Sequence, residues 1–298
     1  MRRACRVALA VTIGVACADA VVTTHTFAAD PHVLRVCADP NNLPFSDAHG
    51  AGFENAIASL LARELGRSLE YYWQPQRRGF LRTTIQAGRC DLVMSVPSTL
   101  DRVRPTRPYY RSTYVFVSRH DRHLDLRSFD DPRLRQLRIG IQITGEDYDN
   151  PPPAQALAAR QLVDQIRGYT VYGDYSQPSP QRTIVDAVAA GDVDVAVVWG
   201  PLAGYFATRE QTPLTITPVA PSSDRDVPFA FDISVAVRRD DAGLHDALDA
   251  ALARRAPEVT RILRRFGVPL VDRKILRPTA MRRWEEPWCG MECWPRSS

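Results

Sequence analysis

Apolar positions along the chain fall into short continuous runs that alternate with segments of helical spacing. The runs at 33–38, 69–73 and 91–95 are typical of short buried strands. Residues 53–65 and 80–87 instead carry apolar side chains at the spacing of helices. Strands that alternate with helices favour a parallel sheet and the α/β class.

Two landmarks of this pattern return later in the chain at one common offset. Residues 34–36 return as residues 137–139, and residues 87–93 return as residues 190–196, in both cases 103 positions on. A shared offset predicts two similar lobes, each a β-α-β-α-β unit of about 100 residues. Chance similarity between short apolar motifs is the alternative explanation.

Two further strand-like runs, 114–118 and 233–237, lie outside the repeats. The second run is followed by predicted helices at 243–255 and 257–266, which need a surface to pack on. Because both lobes are complete without these helices, we expect the chain to return to the first lobe and the two runs to pair as hinge strands. A cleft would then open between the lobes, lined by loops at the carboxyl ends of the strands.

These features divide residues 31–298 into two lobes and a tail. We expect lobe 1 to comprise residues 31–117 plus 232–270 and lobe 2 to comprise residues 118–231, with a C-terminal tail at 271–298. The tail holds three tryptophans, Trp284, Trp288 and Trp294. It either straps onto a lobe or offers aromatic anchors to a partner.

The N-terminus has the composition of a secretory signal peptide. Arginines near Met1 precede an apolar run at 7–18 and the small-residue sequence Ala18-Asp19-Ala20, which predicts a leader over residues 1–20. An ordinary N-terminal helix is the alternative. The run is short for a bilayer span and no later stretch is apolar enough, so we expect a periplasmic protein without membrane insertion.

Removal of this leader leaves four cysteines, Cys37, Cys90, Cys289 and Cys293. An even number in an oxidising compartment favours disulfides over zinc. No histidine follows His245, so the C-terminal pair has no nearby imidazole and we predict no metal site. Of the three possible pairings, we favour Cys37–Cys90 with Cys289–Cys293.

Composition and missing motifs exclude several functional classes. Hydrophobic content of 45% and charged content of 24% are ordinary for a soluble protein, and a formal net charge of +4 is too small for a nucleic-acid patch. The sequence contains no G-x-S-x-G, H-E-x-x-H or G-x-G-x-x-G motif. We therefore predict a binding protein that is not an enzyme and uses no cofactor.

The strongest candidate for ligand chemistry is the segment Ser95-Val96-Pro97-Ser98-Thr99-Leu100-Asp101-Arg102, which leaves a predicted strand and heads toward a helix. Its amides, its hydroxyls and the guanidinium of Arg102 could hold an anion or a carboxylate.

This segment resembles the S-x-S/T-x-T-x-x-R turn of the type II solute-binding proteins for polar amino acids, whose arginine binds the ligand carboxylate. Arg102 matches that arginine, and Phe45-Ser46 and Gly52-Phe53-Glu54 resemble the P-F-S and G-F-D segments of the same superfamily. The resemblance implies a two-lobed type II periplasmic binding protein fold, with two β-α-β lobes joined by two hinge strands. In those proteins an aspartate after a strand of the second lobe takes the ligand's amino group. Gly200 stands at that position here, so we do not expect a free α-amino acid as ligand.

A narrower resemblance covers nearly all of the chain after the leader. The segments 38–46, 75–80, 107–114 and 199–201 are similar to those of MoxJ/XoxJ-like proteins, which are encoded beside pyrroloquinoline-quinone methanol dehydrogenases. This resemblance implies a periplasmic accessory protein that binds a quinoprotein methanol or alcohol dehydrogenase and helps to activate or assemble it. It does not separate the calcium from the lanthanide type of dehydrogenase.

A small solute or a peptide segment would occupy the cleft of such a protein. The residues that we predict to line the cleft are Asn42, Phe45, Ser95, Thr99, Arg102, Tyr109, Tyr110, Thr144, Asp147, Trp199 and Gly200. Tyr109 and Tyr110 could instead be core aromatics at a strand edge.

Three functional classes stay open at this point. The first is the accessory protein for a quinoprotein dehydrogenase. The second is a transport receptor that delivers a small non-amino-acid solute, anionic or polar, to an importer. The third is an enzyme on the same scaffold that uses a carboxylate in the cleft, which the missing acid pair disfavours.

Overall fold

The computed structural model describes residues 30–143, 151–170 and 175–272. The predicted signal peptide, the Cys289–Cys293 link, Thr144 and Asp147 lie outside the described residues. Within those ranges, no helix has the length and apolar character needed to cross a membrane.

The first part of the chain alternates strands and helices as the pattern predicts. Its elements are β1 (Val33–Ala38), β2 (Asn41–Asn42), β3 (Ser46–Asp47), α1 (Phe53–Glu64), β4 (Ser68–Trp73), α2 (Phe80–Thr83), β5 (Leu92–Pro97) and β6 (Arg104–Pro105). The helix expected at 80–87 is wrong in length, because α2 ends after four residues. The hydroxyl of Thr84 donates to the carbonyl of Phe80 at 2.5 Å, and this local bond competes with continuation of the helix.

The rest of the chain repeats this alternation and adds two helices at its end. Its elements are β7 (Tyr110–Arg119), β8 (Ile139–Ile143), α3 (Pro152–Ala158), β9 (Ile166–Thr170), α4 (Thr183–Ala190), β10 (Val195–Trp199), α5 (Gly200–Ala207), β11 (Leu214–Pro218), β12 (Ser223–Asp224), β13 (Val227–Pro228), β14 (Ala230–Val237), α6 (Ala242–Arg254) and α7 (Ala256–Arg265).

The larger strands form one continuous sheet in the order β4-β1-β5-β14-β7-β10-β8-β9, with β11 added to β7 and β6 added to β14. β1 is parallel to β4 and β5, and β8 is parallel to β9 and β10. We call the part built on β4, β1 and β5 the first lobe, and the part built on β10, β8 and β9 the second lobe. The predicted α/β fold of two lobes is confirmed, while the predicted lobe bounds stay a prediction.

The two lobes repeat the same backbone contact at the predicted offset. The amide of Arg35 donates to the Asp91 carboxylate at 2.8 Å, and the amide of Arg138 donates to the Asp194 carboxylate at 2.9 Å. The Asp91 and Asp194 amides donate back to the Arg35 and Arg138 carbonyls at 2.8 Å and 2.9 Å. Each pair joins the beginning of one strand to the turn before its neighbour in the sheet. In the repeat between the lobes, β1 therefore corresponds to β8 and β5 corresponds to β10.

The hinge consists of β7 and β14, which pair antiparallel where they cross between the lobes. Tyr110–Thr113 of β7 pairs with Ala230–Ile233 of β14. The expectation that residues 114–118 pair with residues 233–237 is wrong, because these runs pair with β10 and with β5 inside their own lobes. The crossing itself carries the Arg111–Asp232 ion pair at 2.9 Å, and such polar residues weaken the apolar signal of a strand there.

Helices α6 and α7 pack against α1 of the first lobe. The chain that follows them then crosses to the second lobe. Phe266 lies between Phe53 of α1, at 6.0 Å between ring centroids, and Tyr205 of α5, which stacks on it at 5.7 Å. The hydroxyl of Ser112 donates to the Pro269 carbonyl at 2.7 Å, which ties this segment to the hinge.

A single covalent cross-link joins two neighbouring strands of the first lobe. Cys37 of β1 and Cys90, just before β5, form a disulfide with their Cα atoms 5.5 Å apart. Both residues are buried. The predicted Cys37–Cys90 pairing is confirmed.

Replacing both cysteines by alanine should lower the free energy of unfolding by about 3 kcal/mol, because the disulfide restricts the unfolded chain. Urea denaturation of the variant beside the oxidised parent protein measures this difference. Reaction of the parent protein's Cys37 or Cys90 with a thiol reagent under native, non-reducing conditions would contradict the bond.

The contact between α5 and the segment after α7 depends on two glycines. A Cβ at Gly204 would lie 1.9 Å from the carbonyl oxygen of Gly267. Gly204→Ala should therefore lower the free energy of unfolding by about 2 kcal/mol. Gly243→Ala is the matched control, since nothing lies within 4 Å of its added Cβ. The control should be neutral or stabilising by up to about 1 kcal/mol in the same denaturation experiment, and equal effects of the two variants would refute the contact.

Candidate functional site

A cavity of about 1130 Å³ lies between the two lobes, beside the hinge. Its lining comes from strand ends and loops of both lobes and from the hinge strands themselves. A volume of this size suits a small-molecule site.

Five of the predicted cleft residues line this cavity, namely Asn42, Phe45, Ser95, Arg102 and Trp199. Predicted strand ends point to Asn42 and to the segment from Ser95 to Arg102. Phe45 and Trp199 were predicted from the family resemblance.

The other described candidates lie elsewhere. Tyr109 and Tyr110 are behind Ser95, with their hydroxyls 3.0 Å and 3.5 Å from its Oγ. Thr99 is exposed and outside the lining. Gly200 is buried and outside the lining too, and a Cβ there would lie 2.5 Å from the Thr113 carbonyl oxygen. The hinge therefore excludes any side chain at position 200.

The segment after β5 does not lead to a helix as expected. It turns and enters β6, which pairs antiparallel with β14. Arg102 lines the cavity from this turn without a helix N-terminus beside it. Ser95 has a φ of +49°, an uncommon conformation for serine that occurs where the surrounding structure enforces it.

The hinge side of the cavity is aromatic. Trp199, at the end of β10, lies 5.3 Å from Tyr114 and 5.9 Å from Phe231 between ring centroids, in edge-to-face packing. All three residues line the cavity, and we call them the aromatic wall. Burial raises the pKa of the Tyr114 phenol, so this wall stays uncharged.

Four arginines line the cavity from the first lobe, namely Arg77, Arg78, Arg82 and Arg102, which we call the arginine wall. Asp39 is the one carboxylate that the described lining contains. It already accepts hydrogen bonds from the Gln76 amide at 2.6 Å, the Asn41 amide at 2.8 Å and the Tyr175 hydroxyl. Among the described lining residues, four arginines thus stand against one carboxylate.

The lobes also touch across the cavity, opposite the hinge. The Asn41 side chain donates to the Gln177 carbonyl at 2.9 Å and accepts from the Ser179 amide at 2.9 Å. Together with the Tyr175–Asp39 hydrogen bond, these contacts form what we call the interlobe latch. The latch holds the two lobes together without relying on the hinge.

Sequence patterns missed several of these residues. Asp39 directly follows β1 and could have been found from the rule that ligands bind at the carboxyl ends of strands. Tyr175 and Gln181 lie in a stretch without helical or strand periodicity, so no sequence pattern points to them.

Behind Ser95 lies a buried acid, Glu54, in the first turn of α1. Burial raises the pKa of Glu54 to about 7; a hydrogen bond with Ser95 opposes this shift and the charge of Asp39 adds to it. Near neutral pH this carboxyl is thus half protonated in the folded protein.

A raised pKa in the folded state makes the contribution of Glu54 to stability pH-dependent. The contribution is fully present below the ordinary pKa of glutamic acid and is lost as pH rises through about 7. The variant Glu54→Gln cannot ionise at this position and should therefore become more stable relative to the parent as pH rises. The difference between their free energies of unfolding should increase by up to about 3 kcal/mol between about pH 5 and pH 8.

Denaturation curves at several pH values test this, with Glu64→Gln as the control. Arg254 and Arg255 lower the pKa of Glu64, so its contribution is lost on acidification instead. Parallel pH profiles for Glu54→Gln and the parent would show that Glu54 is not the titrating group.

Comparison with known proteins agrees with this architecture. Residues 34–267 match the family model for bacterial extracellular solute-binding proteins, family 3. Protein MoxJ of Methylorubrum extorquens is 33% identical over 250 residues, which cover 81% of this chain and 83% of that protein.

Two crystal structures are also similar. The periplasmic binding protein XoxJ from Methylobacterium extorquens has a TM-score of 0.67 and 35% identity, with 80% of this chain and 99% of that chain covered. MxaJ from Methlophaga aminisulfidivorans has a TM-score of 0.70 and 26% identity, with 80% and 100% covered. The chain belongs to family 3 of the bacterial extracellular solute-binding proteins, and within it to the MoxJ/XoxJ-like type II binding proteins.

Proposed function

We propose that this protein is a periplasmic accessory protein that binds a quinoprotein methanol or alcohol dehydrogenase and helps to activate or assemble it. The observation that carries this proposal is the similarity to MoxJ, MxaJ and XoxJ over about four-fifths of the chain. A leader at residues 1–20 would deliver it to the periplasm.

The site chemistry supports a function other than amino-acid uptake. An α-amino acid needs a carboxylate for its ammonium group as well as a cation for its carboxylate. Gly200 leaves no room for a side chain beside Thr113, and Asp39 already accepts three hydrogen bonds. The described part of the lining therefore offers an ammonium group little, whereas its arginines favour an anion.

The protein acts in this proposal as a binding protein and not as an enzyme. Hydrolytic or dehydratase chemistry on such a scaffold would use an acid–base pair facing the ligand. Among the described lining residues, Asp39 is the one carboxylate, and it already accepts three hydrogen bonds. Glu54 is buried behind Ser95 and outside the lining.

A transport receptor for a small anionic solute is the second candidate. One observation favours it: the cavity is bounded by the hinge on one side and by the interlobe latch on the other, as a receptor closed around a solute would be. Such a receptor would bind its solute tightly and have no contact with a dehydrogenase.

The protein should bind its cognate quinoprotein dehydrogenase in a pull-down and raise that enzyme's activity or cofactor loading. Calorimetry against the common amino acids should show no binding at micromolar concentrations. An amino-acid receptor of the same family is the control, because it shares the fold and should not retain the dehydrogenase. Micromolar affinity for an ordinary amino acid, with no retention of the dehydrogenase, would establish transport instead.

A further inference from the structure

We propose that the cavity binds a compact aromatic polycarboxylate, a flat ring that carries at least two carboxylates and an N–H or O–H donor. This inference shares one assumption with the proposed function, namely that the cavity between the lobes is a binding site. It concerns a ligand of the cavity and not the surface that contacts a dehydrogenase.

The arginine wall sets the charge of the ligand. Arg77, Arg82 and Arg102 are exposed to the cavity, and the described residues place no carboxylate within ion-pair distance of any of them. The guanidinium of Arg77 lies over the Tyr175 ring at 5.0 Å from the centroid, a cation–π contact beside the cavity. A guanidinium binds one carboxylate bidentately, so three such groups favour a ligand with more than one carboxylate.

The aromatic wall sets the shape of the ligand's body. Trp199 is half-buried, and its contacts with Tyr114 and Phe231 fix its ring beside the cavity. A fixed indole presents a flat apolar surface on which another ring can stack or pack edge-on. An aliphatic polycarboxylate would satisfy the arginines but would gain less from this wall.

Gln181 supplies an independent indication of a ligand. It lines the cavity from the second lobe with 5% of its surface exposed, and its Oε1 has no hydrogen-bond partner. A buried acceptor without a donor is costly, and such atoms in native proteins call for an explanation. A ligand N–H or O–H group at this end of the cavity would satisfy Gln181.

The interlobe latch argues for a compact occupant. Asn41 bonds to the backbone of residues 177 and 179, and Asp39 bonds to Tyr175, so the lobes are in contact across the cavity. A peptide threaded along the cleft would have to break these bonds. A single ring with its substituents would leave them intact.

Calorimetry of the mature full-length protein with four probes tests the inference. The probes are hydroxyisophthalate, isophthalate, cyclohexane dicarboxylate and benzoate. We expect hydroxyisophthalate to bind most tightly, since it alone combines a ring, two carboxylates and a hydroxyl. Removing the hydroxyl, the aromaticity or one carboxylate should each weaken binding, by about tenfold for the carboxylate.

Variants assign each effect to its residue. Arg77→Gln and Arg82→Gln should each weaken hydroxyisophthalate binding about tenfold. Arg89→Gln is the matched control, because Arg89 is exposed near α2 but lies outside the cavity. The affinity of this variant for hydroxyisophthalate should equal that of the parent. Trp199→Leu should abolish the preference for isophthalate over cyclohexane dicarboxylate. Gln181→Leu should abolish the preference for hydroxyisophthalate over isophthalate. Thermal denaturation of each variant verifies that it is folded.

Three results would overturn the inference: no binding of the aromatic dicarboxylates, equal affinity for the cyclohexane compound, or equal losses in Arg82→Gln and Arg89→Gln. Tighter binding of an acidic peptide than of any probe would also overturn it. The pull-down of the dehydrogenase on the same sample separates the two proposals. Retention of the enzyme without probe binding refutes the cavity ligand alone, and probe binding without retention refutes the accessory function alone.

Discussion

The antiparallel pairing of β7 with β14 is the constraint on which the site depends. Four residues from each strand join the two lobes, and the strands then diverge, β7 to pair with β10 and β14 to pair with β5. At that divergence Tyr114 and Phe231 come to the cavity, and Trp199 packs on both. The aromatic wall thus depends on the hinge, because Phe231 lies within the paired stretch and Tyr114 directly follows it, opposite Trp199 of β10.

The segment after α7 adds a second connection between the lobes. Phe266 contacts α1 and α5 at once, and Gly267 meets Gly204 with no room for a side chain. Pro269 and Thr113 enclose Gly200 in the same way. Contacts with Thr113 and Pro269, which are distant in sequence, therefore explain why position 200 is a glycine. The motif resemblance shows only that the aspartate of the amino-acid binders is missing at this position.

The regular elements and the residues at strand ends could be predicted from the sequence. The contacts between the elements could not. The 103-residue offset is matched by the Arg35–Asp91 and Arg138–Asp194 contacts, because the two lobes build the same turn from the same residue types. The cleft positions Asn42 and Ser95 were found because strand ends follow from apolar runs, whereas Phe45 and Trp199 were found from the family resemblance. Tyr175 and Gln181 were not found, since their segment has no period and its place is fixed by hydrogen bonds to Asn41.

In the part of the chain that the structure describes, one acid lies in the cavity lining, Asp39, and another, Glu54, lies behind Ser95. Asp39 accepts hydrogen bonds from three donors, and Glu54 is protonated to about half near neutral pH because burial raises its pKa to about 7. Around Glu54 lie Ser95, which hydrogen-bonds to it, and the phenols of Tyr71, Tyr109 and Tyr110, whose pKa values are all raised. No cation in this group balances Glu54, so its ionisation would add a negative charge directly behind the cavity wall formed by Ser95. An anion bound at the arginine wall, as we propose, would therefore be held more tightly while Glu54 stays protonated, which would couple the buried acid to the exposed arginines.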